Sequence, residues 1–593
     1  MKKLTIFLVF LLFCSTIFAQ TYFDVTPGYG TLNAAVTAHQ GNVIYRLQAG
    51  QWYGLNGQIE NNGFTLQIIG TTPSAGQMPA EIQTATNADG TVLTDMFSVL
   101  GDVYMKDIFI VNADANNTLG QGVFNVASTT SVRIVFDSLT VDPVGSNHFI
   151  VFNPTPRPKL FVTNSLLMRH GTLAGANDWC LFDLAGPTNN GYDTLYLENN
   201  TFVSTGTHIA INRNNATDSN NVVWINHNTF AFHKFQLLIG FHMNKYFITN
   251  NLFFDFTCQP YNIAWDAYSP DGFGDYYQCN AEQDTVSSDT VNGQLLSPRK
   301  MFVEFNSEYV DPRIESYLST WQWTHSVNDT GKIIGDVNPA YLMRLFYPPD
   351  SAKVNREANM FNSTAFPYFK AGNYIKDVDP QWVNPKMYTI QDSIVNWDLP
   401  AMELNNWGFS PTLVPAPASS GNWWWCDDSV YNLGNPVVWP RFNGSYKNST
   451  MLTASIEGLP LGDLNWFPAQ KAIWLQHQTE IMNHILSEDT SQINITGIKQ
   501  LSNNIPGSFS LSQNYPNPFN PSTEIQYSIP KSGLVTLRVY NMLGQEIVTL
   551  VNQKQQAGSY TVNFDASKLA SGVYLYRIQT GDFSLTKKMT LLK

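Results

Sequence analysis

Three residues in the first third of the chain carry side chains that a polymer-cleaving site would need. Asp142, Arg169 and His170 supply a carboxylate, a guanidinium and an imidazole. An arginine can grip a carboxylate or sugar hydroxyl through parallel N–H···O bonds, and a histidine, with an ordinary pKa of about 6.5, can accept a proton near neutral pH. Aligned on an internal repeat set out below, Asp142 and Arg169 fall four residues past a common reference column and His170 five past it. That alignment predicts outward-facing neighbours on adjacent strands. The competing reading is an exposed ion pair beside solvated side chains, which is common and contributes little. A lyase needs a base and a group that neutralises a uronate, and a hydrolase needs carboxylates at set separations. Clustered Asp motifs of the hydrolase kind are not visible.

Aromatic residues give a second candidate, a substrate-binding one. Twelve of the fifteen tryptophans fall between Trp265 and Trp474, including Trp423, Trp424 and Trp425 in "NWWWCDD". Sugar rings stack their C–H faces on indoles while Asp and Asn take the hydroxyls. Side chains alternate along an extended segment, so three consecutive tryptophans cannot all point inward. The alternative is that these rings hold long, charge-poor loops together. Asp107 and Asp137 would stand in a corner column beside Asn164, where Ca²⁺ is a cofactor to consider against plain hydrogen-bonded carboxylates. No spacing predicts a metal centre, and Cys180, Cys258, Cys279 and Cys426 do not make a zinc site. Cys258 with Cys279 as a disulfide and four isolated thiols remain equal alternatives.

The elements that must position these groups repeat. "YMKDIFIVNAD" from Tyr104, "IVFDSLTVDP" from Ile134, "FVTNSLLMRHG" from Phe161, "YLENNTFVSTG" from Tyr196, "WINHNTFAFHK" from Trp224 and "YFITNNLFFDF" from Tyr246 share one pattern. Each alternates apolar residues, turns at Asp or Asn, and runs on through a second short apolar stretch. With Ile108, Ser138, Ser165, Asn200, Asn228 and Asn251 as the reference column, the steps are 30, 27, 35, 28 and 23 residues. β-branched and aromatic alternation argues for strands, and an irregular period suits stacked parallel strands joined by loops free to grow outward. Asn fits the corner because it tolerates left-handed backbone angles and can hydrogen-bond its counterparts in neighbouring layers.

Upstream, Ala49–Tyr53 and Leu66–Gly70 resemble the first coils of pectin-lyase-like right-handed β-helix proteins. The resemblance covers about residues 21–260 and implies a fold without a catalytic signature. The expected architecture is mainly β: a right-handed parallel β-helix, or solenoid, over 20–260, continuing with insertions over 261–488. The helical pattern at 467–488 predicts a cap on the open end of the stack, and the polar run 489–508 predicts a linker.

Residues 509–593 form a separate unit with alternating strands "LVTLRVY", "SYTVNFD" and "VYLYRIQ" divided by Gly-bearing turns, enough for a small β-sandwich. Its "NYPNPFNPST", "VYNMLGQE", "LASGVYLYR" and basic tail are similar to the C-terminal sorting domain of type IX secretion cargo in Bacteroidetes-type bacteria. That resemblance implies the type IX machinery as a partner through residues 509–593 and delivery, by way of the periplasm, to the cell surface or medium. Lys2, Lys3 and an apolar run to Phe13 predict an export signal over residues 1–19, and no later stretch is apolar enough for a membrane span.

Charge divides along the same line. Residues 509–593 hold eight Lys or Arg against four Asp or Glu, whereas 20–508 hold 23 against 42. A passenger that acidic repels polyanions, which argues against nucleic acid as a ligand. Two function classes follow: a noncatalytic solenoid for glycan binding or adhesion, and, as the alternative, a pectate-lyase-like polysaccharide lyase.

Overall fold

The computed structural model describes residues 21–84, 86, 90–114, 118–145, 147–170, 180–184, 191–205, 208–212, 220–232, 237–239, 243–255, 290–291, 294–295, 300–313, 316, 326–327, 333–334, 369–385, 387–389, 391–392, 442–493, 495, 498–502, 506–555, 557–566, 569–581 and 583–593. The expected export signal, three of the cysteines (Cys258, Cys279 and Cys426) and Trp423–Trp425 lie outside these residues.

Strands dominate, and from Thr21 to Lys376 the chain visits three parallel sheets in rotation. The first sheet has eleven strands, from Thr21–Asp24 and Val43–Leu47 through to Lys300–Glu304 and Phe369–Gly372. The second has ten, from Trp52–Gly54 to Ile375–Lys376, and the third seven, from Ile59–Asn61 to Leu238–Ile239. Period-2 alternation explains the shared core: Tyr45, Ile68, Met105, Phe136, Val162, Leu197, Ile225, Ile248 and Val303 stand in one inward row of the first sheet, each in register with the next. In the second sheet Phe202, Phe230 and Phe253 stack nearly parallel with centroids 4.9 Å apart, because identical rings in register inherit the spacing of the strands. The helix Thr31–His39 buries Leu32, Ala35 and Val36 against the start of this core.

Corner residues divide between two jobs that the sequence suggested one residue would do. Left-handed backbone falls on Asp107, Ser138, Asn164, Asn199, His227, Asn250, Phe305 and Asn373, all with φ between 51° and 61°. Asn and Asp lead because they adopt this conformation at the least cost. The hydrogen-bonding column is the next residue along: Ser165, Asn200, Asn228, Asn251 and Asn306. Each asparagine Oδ1 from Asn228 onward accepts from the amide of its predecessor in the layer before, as in Asn200 Nδ2 to Asn228 Oδ1 at 2.9 Å and Asn251 Nδ2 to Asn306 Oδ1 at 2.9 Å. Phe109, Thr140 and Leu166 are in register, so Leu139 occupies the reference column and Ser138 the left-handed position before it. The expected equivalence of Ser138 with Ser165 is off by one.

Pro468–Ser487 is an α-helix. The chain just beyond it is fastened to outward side chains of the last two strands of the first sheet: Lys300 Nζ donates to the Leu486 carbonyl at 2.9 Å, Lys370 Nζ to the Glu488 carbonyl at 3.2 Å and Asn373 Nδ2 to the Thr490 carbonyl at 3.1 Å.

The C-terminal residues form a second unit of two antiparallel four-stranded sheets around their own core, including Ile525, Tyr527, Leu537, Val539, Val562, Tyr576, Ile578 and Met589. Ser522–Ile529 alternates exposed and buried residues along most of its length, as a half-buried strand must. Residues 489–508, expected to be linker throughout, include the strand Ile498–Ser502, which pairs antiparallel with Gly558–Asp565. The proline-rich stretch closes one end: Asn514 is buried with Nδ2 donating to the Pro516 carbonyl and to Thr523 Oγ1, and buried Phe519 bridges to Leu591.

Candidate functional site

Arg169 and His170 end the second-sheet strand Leu166–His170, and Asp142 follows its neighbour Thr140–Val141. Val141 is in register with Leu167, so Asp142 lies opposite Met168 and one position short of Arg169. Asp142 is 1% exposed. The side chains of Arg169 and His170, and all of Trp423, Trp424 and Trp425, lie outside the described residues.

The corner carboxylates have partners. Asp137 accepts from Lys106 Nζ at 2.6 Å, Asn164 Nδ2 at 2.6 Å and Thr163 Oγ1 at 3.1 Å. Burial would raise its pKa, but the Lys106 charge and these donors together hold it below the usual carboxylate range. Among the described residues no three His, Cys, Asp or Glu side chains come together as a metal site.

Two arrangements escaped the sequence reading because their members are far apart or face away from the core. Glu198, buried on the outward side of the first sheet, accepts from Tyr196 Oη at 2.6 Å, Trp224 Nε1 at 3.0 Å and Asn226 Nδ2 at 2.9 Å. Burial pushes its pKa up against the pull of those donors. Its oxygens are committed to neighbours, which suits a structural anchor. In the third sheet His148 Nε2 meets Asp95 Oδ1 at 2.9 Å. The contact spans the intervening strand because Gly122 lies in register with both; a Cβ there would stand 2.1 Å from Nε2 and 2.4 Å from Oδ1.

The richest meeting of polar and aromatic groups is at the last strands of the second sheet. Tyr309 ends the strand Ser307–Tyr309 and stacks on Phe254 at 5.2 Å and 8°, while Trp382 meets Phe254 edge-on at 5.1 Å. Burial pushes the Tyr309 hydroxyl up to about 12, and the charges of Asp255, Asp311 and Asp379 add to that rise against a hydrogen bond from the Gln391 amide. The charges of three carboxylates therefore act on one phenol. Tyr388 Oη donates to Asp379 Oδ1 at 2.7 Å and accepts from the Trp382 backbone N–H at 3.2 Å. Arg313 is held by both oxygens of Asp311, at 2.9 and 2.6 Å, and by Asp392 at 2.8 Å. A sequence signal existed: "VDP" occurs at 141–143, 310–312 and 378–380. Because Glu308 pairs with Lys376, Asp311 and Asp379 each lie three residues past a paired position, on neighbouring layers.

No curated protein matches the chain. Residues 513–591 match the family described as the secretion system C-terminal sorting domain. No helix among the described residues is long and apolar enough to cross a membrane. The C-terminal unit thus contains a sorting domain, which implies secretion or cell-surface export by the type IX system.

Proposed function

We propose that the exported passenger is a right-handed parallel β-helix of the pectin-lyase-like kind that binds polysaccharide without cleaving it, at the cell surface or in the medium. The rotation of the chain through three parallel sheets supports the solenoid. The observation that carries the binding reading is the corner around Tyr309, where stacked rings lie beside three carboxylates, the pairing that recognises a sugar's C–H face and hydroxyls together. The acidity of the passenger favours neutral over anionic polymers. Affinity electrophoresis of the full chain through gels containing neutral and acidic polysaccharides tests this. Retardation by a neutral polymer is expected, with Tyr309→Ala, confirmed folded by circular dichroism, losing about tenfold in affinity, equivalent to about 1.4 kcal/mol. Free migration through every polymer would sink the reading.

A further inference from the structure

We propose that the hairpin at 533–555 of the C-terminal unit is a docking arm, whose apolar tip enters an acid-rimmed cleft on a protein of the export machinery. Strand Gly533–Tyr540 turns through 541–545 into strand Glu546–Gln555. Leu534, Met542, Leu543, Ile547 and Val548 all stand exposed on it, Met542 at 64% and Leu543 at 84%. From 542 to 549 every residue is exposed, so neither face of the hairpin's end is covered by the sandwich. The tip is ordered all the same. Asn541 Oδ1 accepts from the Leu543 and Gln545 backbone N–H groups, each at 3.0 Å, and Asn541 Nδ2 donates to Gln545 Oε1 at 2.8 Å. Leu537 pairs with Val551 and Arg538 with Thr549, which makes Leu550 an extra residue; the pairs Val539 with Val548 and Tyr540 with Glu546 do the same for Ile547. Such bulges re-aim side chains and blunt an edge against plain strand addition, which leaves the side chains of the tip as the contact. Contiguous exposed apolar surface marks an interface, and a preorganised arm loses little freedom on docking.

Charge and backbone select the occupant. Residues 513–591 match a sorting domain, so this unit is the part of the chain that the type IX machinery engages. At the root of the arm Arg538 lies in register with Arg577, and Tyr540 with Leu575, which is in register with Lys588. The only carboxylate between 533 and 555 is Glu546, and Arg538 pairs with it at 3.6 Å. An acidic rim complements the cations that remain. A second copy docked through this face would bring the same arginines together. A bilayer would leave the outer edge of Glu546–Gln555, which no further strand pairs among the described residues, without hydrogen-bond partners.

The test uses the full-length chain in a bacterium that exports it by the type IX machinery, read as the fraction reaching the surface or medium. Met542→Ser with Leu543→Ser removes apolar area that the folded unit does not bury. Protease resistance of residues 509–593 should therefore hold while export falls about tenfold. Arg577→Glu should lower export about threefold. Tyr515, 81% exposed in the same unit, is the control, and Tyr515→Ser should export as wild type does. A photo-crosslinking residue in place of Leu543 should form an adduct with a protein of the machinery, identified by mass spectrometry, and Arg577→Glu should weaken that adduct. The arm is rejected if the double variant exports normally or if Tyr515→Ser lowers export equally. It is also rejected if the crosslinker captures only a second copy of the chain, only lipid, or nothing.

Discussion

The two halves of the molecule solve one problem, fixing the register of strands, by opposite means. In the parallel region the register is written in buried side-chain amides. Asn200, Asn228, Asn251 and Asn306 are 0% exposed and bond to one another and to the carbonyls of Val162, Leu197, Ile225 and Ile248. In the C-terminal unit it is written in local hairpins: Gly533–Tyr540 pairs antiparallel with Glu546–Gln555, and Gly572–Thr580 with Phe583–Leu591. The difference shows what each can tolerate. Consecutive ladder asparagines are 28, 23 and 55 residues apart, so long insertions leave the parallel register untouched provided each layer returns an amide to the same place. A hairpin register depends on its own turn.

The sharpest way to break that comparison is to remove one amide. Asn228 Oδ1 accepts from the Asn200 backbone N–H and Nδ2, and Asn228 Nδ2 contacts the Leu197 and Asn226 carbonyls and Asn251 Oδ1. Asn228→Leu orphans several of these groups in a site closed to water and should cost about 4 kcal/mol. Chemical denaturation followed by two probes checks it, tryptophan fluorescence for the parallel region and protease resistance of residues 509–593 for the other unit. The first transition should move strongly and the second not at all. A shift of under about 1 kcal/mol would mean that packing, and not the ladder, sets the register.

The ladder also shows how much of the fold was legible. Three of its five members, Asn200, Asn228 and Asn251, were readable from repeated "NTF" and "NN" corners, and Ser165 from the same place in the repeat, because similar layers impose similar residues. Ser138 misled the alignment since "DSL" places a polar residue where the left-handed turn needs one, and the ladder position behind it holds Leu139. That slip of one carried Asp142 and Arg169 into apparent equivalence. Asn306 went unread because 55 residues separate it from Asn251. The Tyr309 corner was out of reach for a different reason: Phe254, Tyr309 and Trp382 meet only when layers distant in sequence are stacked, although the repeated "VDP" marked two of its carboxylates. In the C-terminal unit the alternations "LVTLRVY", "SYTVNFD" and "VYLYRIQ" fall on strands, since alternation is a local signal, whereas the edge strand Ile498–Ser502 lies where a linker was expected.

A second difference is in what titrates. In the parallel region Glu304 is 2% exposed, and burial pushes its pKa up to about 7 against the pull of the Asn373 amide, 3.0 Å away, and of the Lys370 charge. Lys370 is shared with Glu488, which also pairs with Lys300. The folded state thus holds this proton more tightly than the unfolded chain, whose carboxyl has a pKa of 4.5. Stability from this group is complete below about pH 4.5 and is lost as pH rises through about 7. After allowance for screening by solvent and the lysines, the loss is about 2 kcal/mol. Unfolding titrations between pH 5 and 8 should show it in the parallel region, and Glu304→Gln should flatten the profile. In the C-terminal unit the raised groups are tyrosines such as Tyr576, pushed up to about 12 by burial, and these do not titrate in that range. A profile unchanged in Glu304→Gln would assign the dependence to other groups.

The smallest effect probes the local register of the sorting module. Tyr576 Oη donates to the Ser512 carbonyl at 2.8 Å and accepts from the Asn514 N–H at 2.9 Å, which ties the start of the proline-rich stretch to the middle of the facing sheet. The prolines at 516, 518 and 521 cannot offer amide donors of their own, so the stretch depends on such side-chain ties and on the plug of Phe519. Tyr576→Phe keeps the ring in the core and leaves two backbone groups without their partner, at a cost of about 1 kcal/mol. The effect should be confined to the C-terminal unit and appear as faster proteolysis between residues 512 and 521. If cleavage there is unchanged, Phe519 and Asn514 hold the stretch alone. In that case the parallel region and the sorting module differ more than proposed, the one held by networks of polar bonds and the other by apolar contact and hairpin turns.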